Sequence, residues 1–307
     1  MFKNSSFYFI LTILLILLPM VSYAQNNFDE QLEFRHDNDF LALSDRYYSS
    51  GLFLSYRKVL HKGIFKENKE QIDFTINQEV YTPSQTQSTN SPLFDRSYAG
   101  FTGLRTSWSI SGENQLFKSE ILIGLAGLNS GAGGLQRAFH NIVGILNSPL
   151  WVDELNDSFH LNLYFNYVKE WKIAPSPFGV SFAFIPNIAL GSRDIYLEPE
   201  TVFYFGKKNE ASNSIAYKRL GATGKELYFA IRTSYRNVIY NGLIEGNLFG
   251  DDSAVLRNPE NNLWFLGLDL NHRSKRNDYS LGLRLNSRET RQSGGHRFVV
   301  FSYGLSF

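Results

Sequence analysis

The stretch FVVFSYGLSF, Phe298–Phe307, alternates with a period of two. Counting back from Phe307, Leu305, Tyr303, Phe301 and Val299 fall on one face, while Ser306, Gly304 and Ser302 fall on the other. Successive side chains of a β-strand point to opposite sides, so this stretch is a strand with one apolar and one small, polar face. Both a soluble sandwich and a membrane barrel contain such strands. An apolar face that runs to a terminal aromatic residue has the form of the last strand of a barrel whose outside meets lipid.

The same alternation recurs upstream. Tyr279, Leu281, Leu283 and Leu285 oppose Ser280, Gly282, Arg284 and Asn286; Phe159, Leu161, Leu163, Phe165 and Tyr167 oppose His160, Asn162, Tyr164 and Asn166. Twelve strands are expected at about 29–38, 46–60, 68–81, 96–111, 116–128, 158–172, 176–192, 195–207, 224–242, 258–273, 277–290 and 294–307. An even number lets a closed antiparallel barrel begin and end on the periplasmic side. The turns Ser111–Asn114 and Ala174–Pro177 then face the periplasm, and the long connections Thr82–Asp95 and Leu128–Asp157 face outward. The polar stretch Lys207–Gly224 is long for the periplasmic side on which this parity puts it. The expected fold is therefore all-β, a twelve-stranded antiparallel transmembrane barrel with a short helix in an extracellular loop.

Composition agrees. Among 307 residues there are 26 Phe and 17 Tyr, which favour strands, and no Cys to staple a soluble domain. The net charge of +1 lacks the basic excess of a nucleic-acid binder, so no nucleic-acid partner is expected. Met1–Ala24 has the order of a secretory signal: Lys3, an apolar run from Phe7 to Val21, then Ser22-Tyr23-Ala24 as a cleavage site. That run is interrupted by Pro19 and is shorter than the roughly 20 residues needed to span a bilayer as a helix. Residues 1–24 are read as signal peptide and 25–307 as one barrel domain, placed in the outer membrane of a Gram-negative bacterium.

Three polar clusters fall where strands emerge at the outer rim. The first joins HDNDF (His36–Phe40) to DRYYSSG (Asp45–Gly51). Asp37, Asn38 and Asp39 can simply form a turn. Alternatively, their carboxylate and amide oxygens suit a hard cation such as calcium. Alternation puts Asp39 in phase with Glu33, Arg35 and Asp37, and Ser49 in phase with Ser55 and Arg57, so both are expected to point into the barrel. The second cluster is QEVYTPS (Gln78–Ser84) with DRSYAG (Asp95–Gly100); its Tyr81 and Tyr98 suit an interfacial aromatic girdle, and Asp95 and Arg96 suit a pair at a loop base.

The third cluster is GAGGLQRAFHNIVG (Gly131–Gly144). Its glycines form a flexible lead-in. Leu135, Phe139, Ile142 and Val143 then make an apolar stripe at helical spacing, with which a helix can lie against the barrel wall. Gln136 and His140, four apart, share a face beside that stripe. Of the six histidines only His140 lies here. An imidazole can take a proton from water near neutral pH. No G-x-S-x-G elbow is present nearby, so attack by water is the simpler chemistry for a hydrolase.

Taken in order, DNDF, DRYYSSG, YTPS with DRSYAG, SGAGGLQRAFHNIVG with PLWVDEL, and the last strand resemble the outer-membrane lipid A 3′-O-deacylases, the LpxR-like barrels. That resemblance covers nearly the whole mature chain. It implies a twelve-stranded barrel with its active site between the wall and an outer-loop helix; the barrel is expected to be monomeric. It also implies calcium-dependent hydrolysis of the 3′-linked acyloxyacyl ester of lipid A, with lipopolysaccharide and outer-membrane lipid as partners. By position, His140 is the base that activates water. Asn38 and Asp39 build the ion and oxyanion site, with Ser49 and Gln136 as polar supports. Ser49-Ser50 stands where many relatives have Thr-Asn, a change that keeps the hydroxyl; Ser97 stands where Pro is common and Glu154 where Gln is common. The loop Thr82–Phe94 carries no Lys or Arg for the phosphates of lipid A. The other readings are an esterase of phospholipid or another lipid, and a barrel without catalysis.

Overall fold

The computed structural model describes residues 28–307 except 40, 41, 43–45, 68, 145, 146, 176, 177, 222 and 223. The expected signal peptide and the tip of the Ala174–Pro177 turn therefore lie outside the described residues. Twelve strands form one closed barrel: β1 Glu30–Asn38, β2 Tyr47–Leu60, β3 Glu70–Thr82, β4 Ala99–Ser111, β5 Gln115–Ala126, β6 Ser158–Ala174, β7 Val180–Gly191, β8 Asp194–Lys207, β9 Glu226–Asn241, β10 Asn262–Ser274, β11 Asn277–Asn286 and β12 His296–Ser306. Each pairs antiparallel with its sequence neighbour, and β1 closes on β12 from Gln31 opposite Ser306 to Asn38 opposite Val299. The expected strands differ from these by a few residues at their ends.

Closure removes every free strand edge, and alternation then decides what faces lipid and what faces the lumen. Phe34, Leu54, Ile76, Leu104, Leu161, Leu281 and Phe301 are exposed on the outside. The lumen holds a polar chamber of about 760 Å³ whose walls include Glu33, Arg57, Glu79, Arg105, Arg193, Glu198 and Arg232. Those charges are paired: across neighbouring strands Arg57 with Glu33 at 2.9 Å and Arg232 with Asp269 at 2.8 Å, and across the lumen Arg193 of the β7–β8 turn with Glu79 of β3 at 2.5 Å. A buried charge without such a partner would be costly, so the lumen holds its cations and anions in near register.

The stretch Lys207–Gly224 does not hang into the periplasm. It folds back into the barrel, where Ile215 of the 3-10 turn Ile215–Tyr217 is buried among Leu116, Val168, Val202 and Tyr204. Its cations finish the plug: Lys208 reaches Glu170 at 2.7 Å, Lys218 reaches Glu33 at 2.5 Å, and Arg219 donates to the Ser109 hydroxyl at 2.8 Å. A periplasmic connection can be this long because it is interior, with its polar groups paired to lumen side chains.

Candidate active site

Helix α1, Ala132–Val143, follows Gly131, whose φ is +71°. The expected glycine lead-in is shorter than the sequence suggested: Gly133 and Gly134 already lie in the first helical turn. Gly133 is there for close approach, since a Cβ on it would sit 2.8 Å from the Trp151 ring. Beneath the helix, a Cβ on Gly100 would fall 2.5 Å from the Cβ of Ala132. Just before α1, the carbonyl of Ser130 accepts from Gln78 Nε2 at 3.0 Å and from Thr102 Oγ1 at 2.7 Å. Gln78 and Thr102 share the phase of the exposed Ile76 and Leu104, so α1 lies on the outside of the barrel wall over β3 and β4.

This position inverts the expected orientation of the helix. Leu135, Phe139 and Ile142 do not pack against the wall; they are 42%, 44% and 58% exposed, whereas Gln136 and His140 are 6% and 5% exposed. In a soluble domain the apolar stripe would face the core. Outside a barrel the surrounding solvent is itself apolar, so the polar face turns to the wall and the apolar face to lipid.

The wall facing Gln136 is shaped by a kink in β2. Tyr47 has φ +67°, a strained conformation for a residue with a side chain, held by hydrogen bonds from its hydroxyl to Asp95 Oδ2 at 2.9 Å and from Gly294 N at 2.7 Å. Between Tyr48 and Ser50 the β2–β3 register slips, as at a β-bulge, which can re-aim a side chain. Ser49 therefore departs from the inward phase expected of it: its hydroxyl is 3.5 Å from Gln136 Nε2 on the outer helix and 3.4 Å from Asp39 Oδ1. Asp39 lies one residue past β1, is buried, and accepts from Arg46 N at 2.7 Å. At the other end of this row, Trp151 Nε1 donates to Gln136 Oε1 at 2.7 Å.

The structure thus joins Asp39, Ser49, Gln136 and Trp151 in one polar row from strand end to helix. His140, one turn on from Gln136, presents a buried Nδ1 that has no hydrogen-bond partner. Asn38 ends β1 opposite Ser50, in the outward phase of Phe34 and His36 rather than the inward phase of Asp37. Trp151 carried no spacing signal; only its place in PLWVDEL hinted at a role.

Several expectations at the rim change. Tyr81 is no girdle residue: its hydroxyl donates to Glu79 Oε2 in the lumen at 2.9 Å, with Arg96 stacked on its ring. Tyr98 is fully buried, stacked on Trp151, and donates to the Thr86 carbonyl at 2.9 Å. Asp95 and Arg96 do not pair with each other. Asp95 accepts from Tyr47 and Ser84, while Arg96 binds Glu289 at 2.6 Å. Glu154 lies against Gly100, whose amide donates to its Oε1 at 3.2 Å. Burial, assisted by the negative charge of Asp157, pushes the Glu154 carboxyl up to about 7 despite that hydrogen bond and nearby Arg137.

The donors at the wall are oxygens of the kinds hard cations take: the Asp39 carboxylate, the Ser49 hydroxyl, and the side-chain amides of Asn38 and Gln136. Asp39 is the one carboxylate among them, and among the described residues no three His, Cys, Asp or Glu side chains converge on a metal site. The set fits, in kind, a weakly held hard cation completed by water, and not a tetrahedral cage.

The family model for outer membrane protein LpxR matches residues 9–307. Among solved structures, LpxR from Salmonella typhimurium aligns with a TM-score of 0.77 at 18% identity, over 90% of this chain and 100% of that one. The β-domain of the Bordetella autotransporter Brka gives 0.44 at 7% identity, over 92% and 99% of the two chains. The translocator domain of NalP from Neisseria meningitidis gives 0.41 at 7% identity, over 99% and 96%. No curated protein matches by sequence.

Proposed function

Since the chain belongs to the LpxR family of outer membrane proteins, we propose that it is a lipid A deacylase that hydrolyses the 3′-linked acyloxyacyl ester in the outer leaflet. One observation carries the chemistry: a histidine, His140, buried against the outer wall with its Nδ1 unpaired and within one helical turn of a polar row. An ester that lies in the leaflet meets this face of the barrel without leaving the membrane.

In this reading His140 takes a proton from water as the water oxygen attacks the ester carbonyl. The tetrahedral intermediate collapses, the sugar oxygen leaves, and the imidazolium returns the proton to it, giving one carboxylic acid and one alcohol. Gln136, held by Trp151, and Ser49, held against Asp39, fix the geometry of the wall. Calcium is the proposed cofactor. Asp39, with Asn38, would hold it, and when bound it would polarise the carbonyl.

A second reading, hydrolysis of a less anionic lipid ester such as a zwitterionic phospholipid, is favoured by the Thr82–Phe94 loop, which has no Lys or Arg for the phosphates of lipid A. Mass spectrometry of lipids from cells with and without the gene separates the two. Loss of the 3′-linked acyl chains from lipid A is the expected result; an unchanged lipid A profile in calcium-replete membranes, with phospholipids deacylated instead, replaces the first reading by the second.

A further inference from the structure

Below the polar row, on the lipid side of the wall, lies a groove of about 310 Å³. Phe34, Leu52, Leu54 and Ile76 line it, with Gln78 and Thr102 at its outer margin. The apolar part is a cross-strand row: Phe34 is opposite Leu54, and Leu54 is opposite Ile76. The polar margin is the next row, Leu52 opposite Gln78 and Gln78 opposite Thr102. From β1 to β4 the groove crosses three strand spacings, about 14 Å.

The margin is tied to the candidate site. Gln78 and Thr102 are the two side chains that hold the Ser130 carbonyl at the start of α1. Leu52 is three residues along β2 from Ser49, about 10 Å at strand rise. The groove therefore grades from apolar in the lipid-facing band to polar where it meets the helix. A fatty-acyl ester has that same gradient, an apolar tail ending in a polar carbonyl.

We propose that this groove is the acyl-chain subsite, holding one fatty-acyl chain of the ester with its tail over Leu54 and Ile76 and its carbonyl end toward α1. The proposal rests on the hydrolase reading for its consequence in turnover, but not for binding. The volume is at the small end of the range for ligand pockets, which suits one chain rather than a whole lipid. Filling the groove limits how many methylenes it can bury. The medium outside the groove is itself apolar, so each excluded methylene loses packing contacts and not shelter from water; kcat/KM for the long-chain ester falls by less than about fourfold per methylene, the full water-transfer value.

The test uses the purified, full barrel in two measurements. In the first, kcat/KM is compared across esters that differ only in acyl length, for wild type, Leu54→Trp, Ile76→Trp and a lipid-facing control on β8 of the far wall, Leu197→Trp. The expected result is a shift in the long-to-short ratio for the two groove variants and none for the control; equal ratios in all four overturn the subsite. In the second, an ester with a photoreactive group in its acyl chain is cross-linked to His140→Ala, which needs no turnover. Labelling concentrated in peptides bearing Leu52, Leu54 and Ile76 supports the subsite. Labelling spread equally to peptides bearing Leu266 and Leu281 identifies ordinary bilayer lipid and overturns it. If wild type cleaves no ester, the hydrolase reading fails, and the cross-linking alone decides the groove.

Discussion

Trp151 donates its indole N–H to Gln136 Oε1 at 2.7 Å, and through that bond a loop residue fixes the helix face that carries His140. Gln136 is 6% exposed, so its removal leaves the donor facing a space that bulk water does not reach easily. Gln136→Leu is expected to cost about 1–3 kcal/mol of local stability, the desolvation penalty of a stranded donor. Gln136→Glu, measured at a pH where its carboxyl is protonated, keeps the acceptor without burying a charge near Asp39 and should cost less. Hydrogen exchange of α1 in detergent-solubilised protein reads the difference; equal protection in both variants and wild type would show that the bond does not hold the helix.

His140→Ala is expected to lower ester hydrolysis by about 100- to 10,000-fold, the usual contribution of a positioned general base. The barrel should still run as a heat-modifiable band, because its strands and their ladders do not involve α1. Retained turnover in a folded variant would make His140 structural.

Glu154 makes a prediction in pH. Burial raises its carboxyl to about 7 in the fold from an ordinary value of 4.5, so the folded protein binds the proton more tightly than the unfolded chain. Stability contributed by this group is complete below about pH 4.5 and is lost as the pH rises through about 7. Glu154→Gln mimics the protonated form. The difference in Tm between this variant and wild type should be near zero at acid pH and grow in favour of the variant across that window. A constant difference at all pH values would sink the assignment.

The inward-folded plug predicts a closed barrel. Wild type in planar bilayers should conduct no current. Replacing residues 209–220 with a short glycine-serine turn removes Ile215 and the anchors Lys218 and Arg219, and should open small conductance steps. A silent deletion variant would show that the ion pairs of the lumen are enough to block it.

Much of this molecule is set by local pattern. Alternation in Phe298–Phe307 and its upstream counterparts determined twelve strands, their closure and which side of each meets lipid, because a strand has only two faces and a lipid-facing one must be apolar. Helical spacing at Gln136 and His140 likewise put both on one face. What periodicity could not supply was a direction. An amphipathic helix buries its apolar stripe in one solvent and exposes it in another, so only the placement of α1 outside the wall decided that Leu135 and Phe139 face lipid and His140 faces the protein.

The same holds for single residues. A bulge beside the strained Tyr47 carried Ser49 out of the phase its sequence position implies, and made it the link between Asp39 and the helix. The stretch from Lys207 to Gly224 reads as a long polar loop, and only the lumen charges Glu33 and Glu170, distant in sequence, draw it inside. Sequence by itself determined the barrel and nominated its histidine. Tertiary structure decided which polar groups gather one helical turn from that histidine, because Asp39, Ser49 and Trp151 come from strands and loops whose proximity depends on the closed barrel.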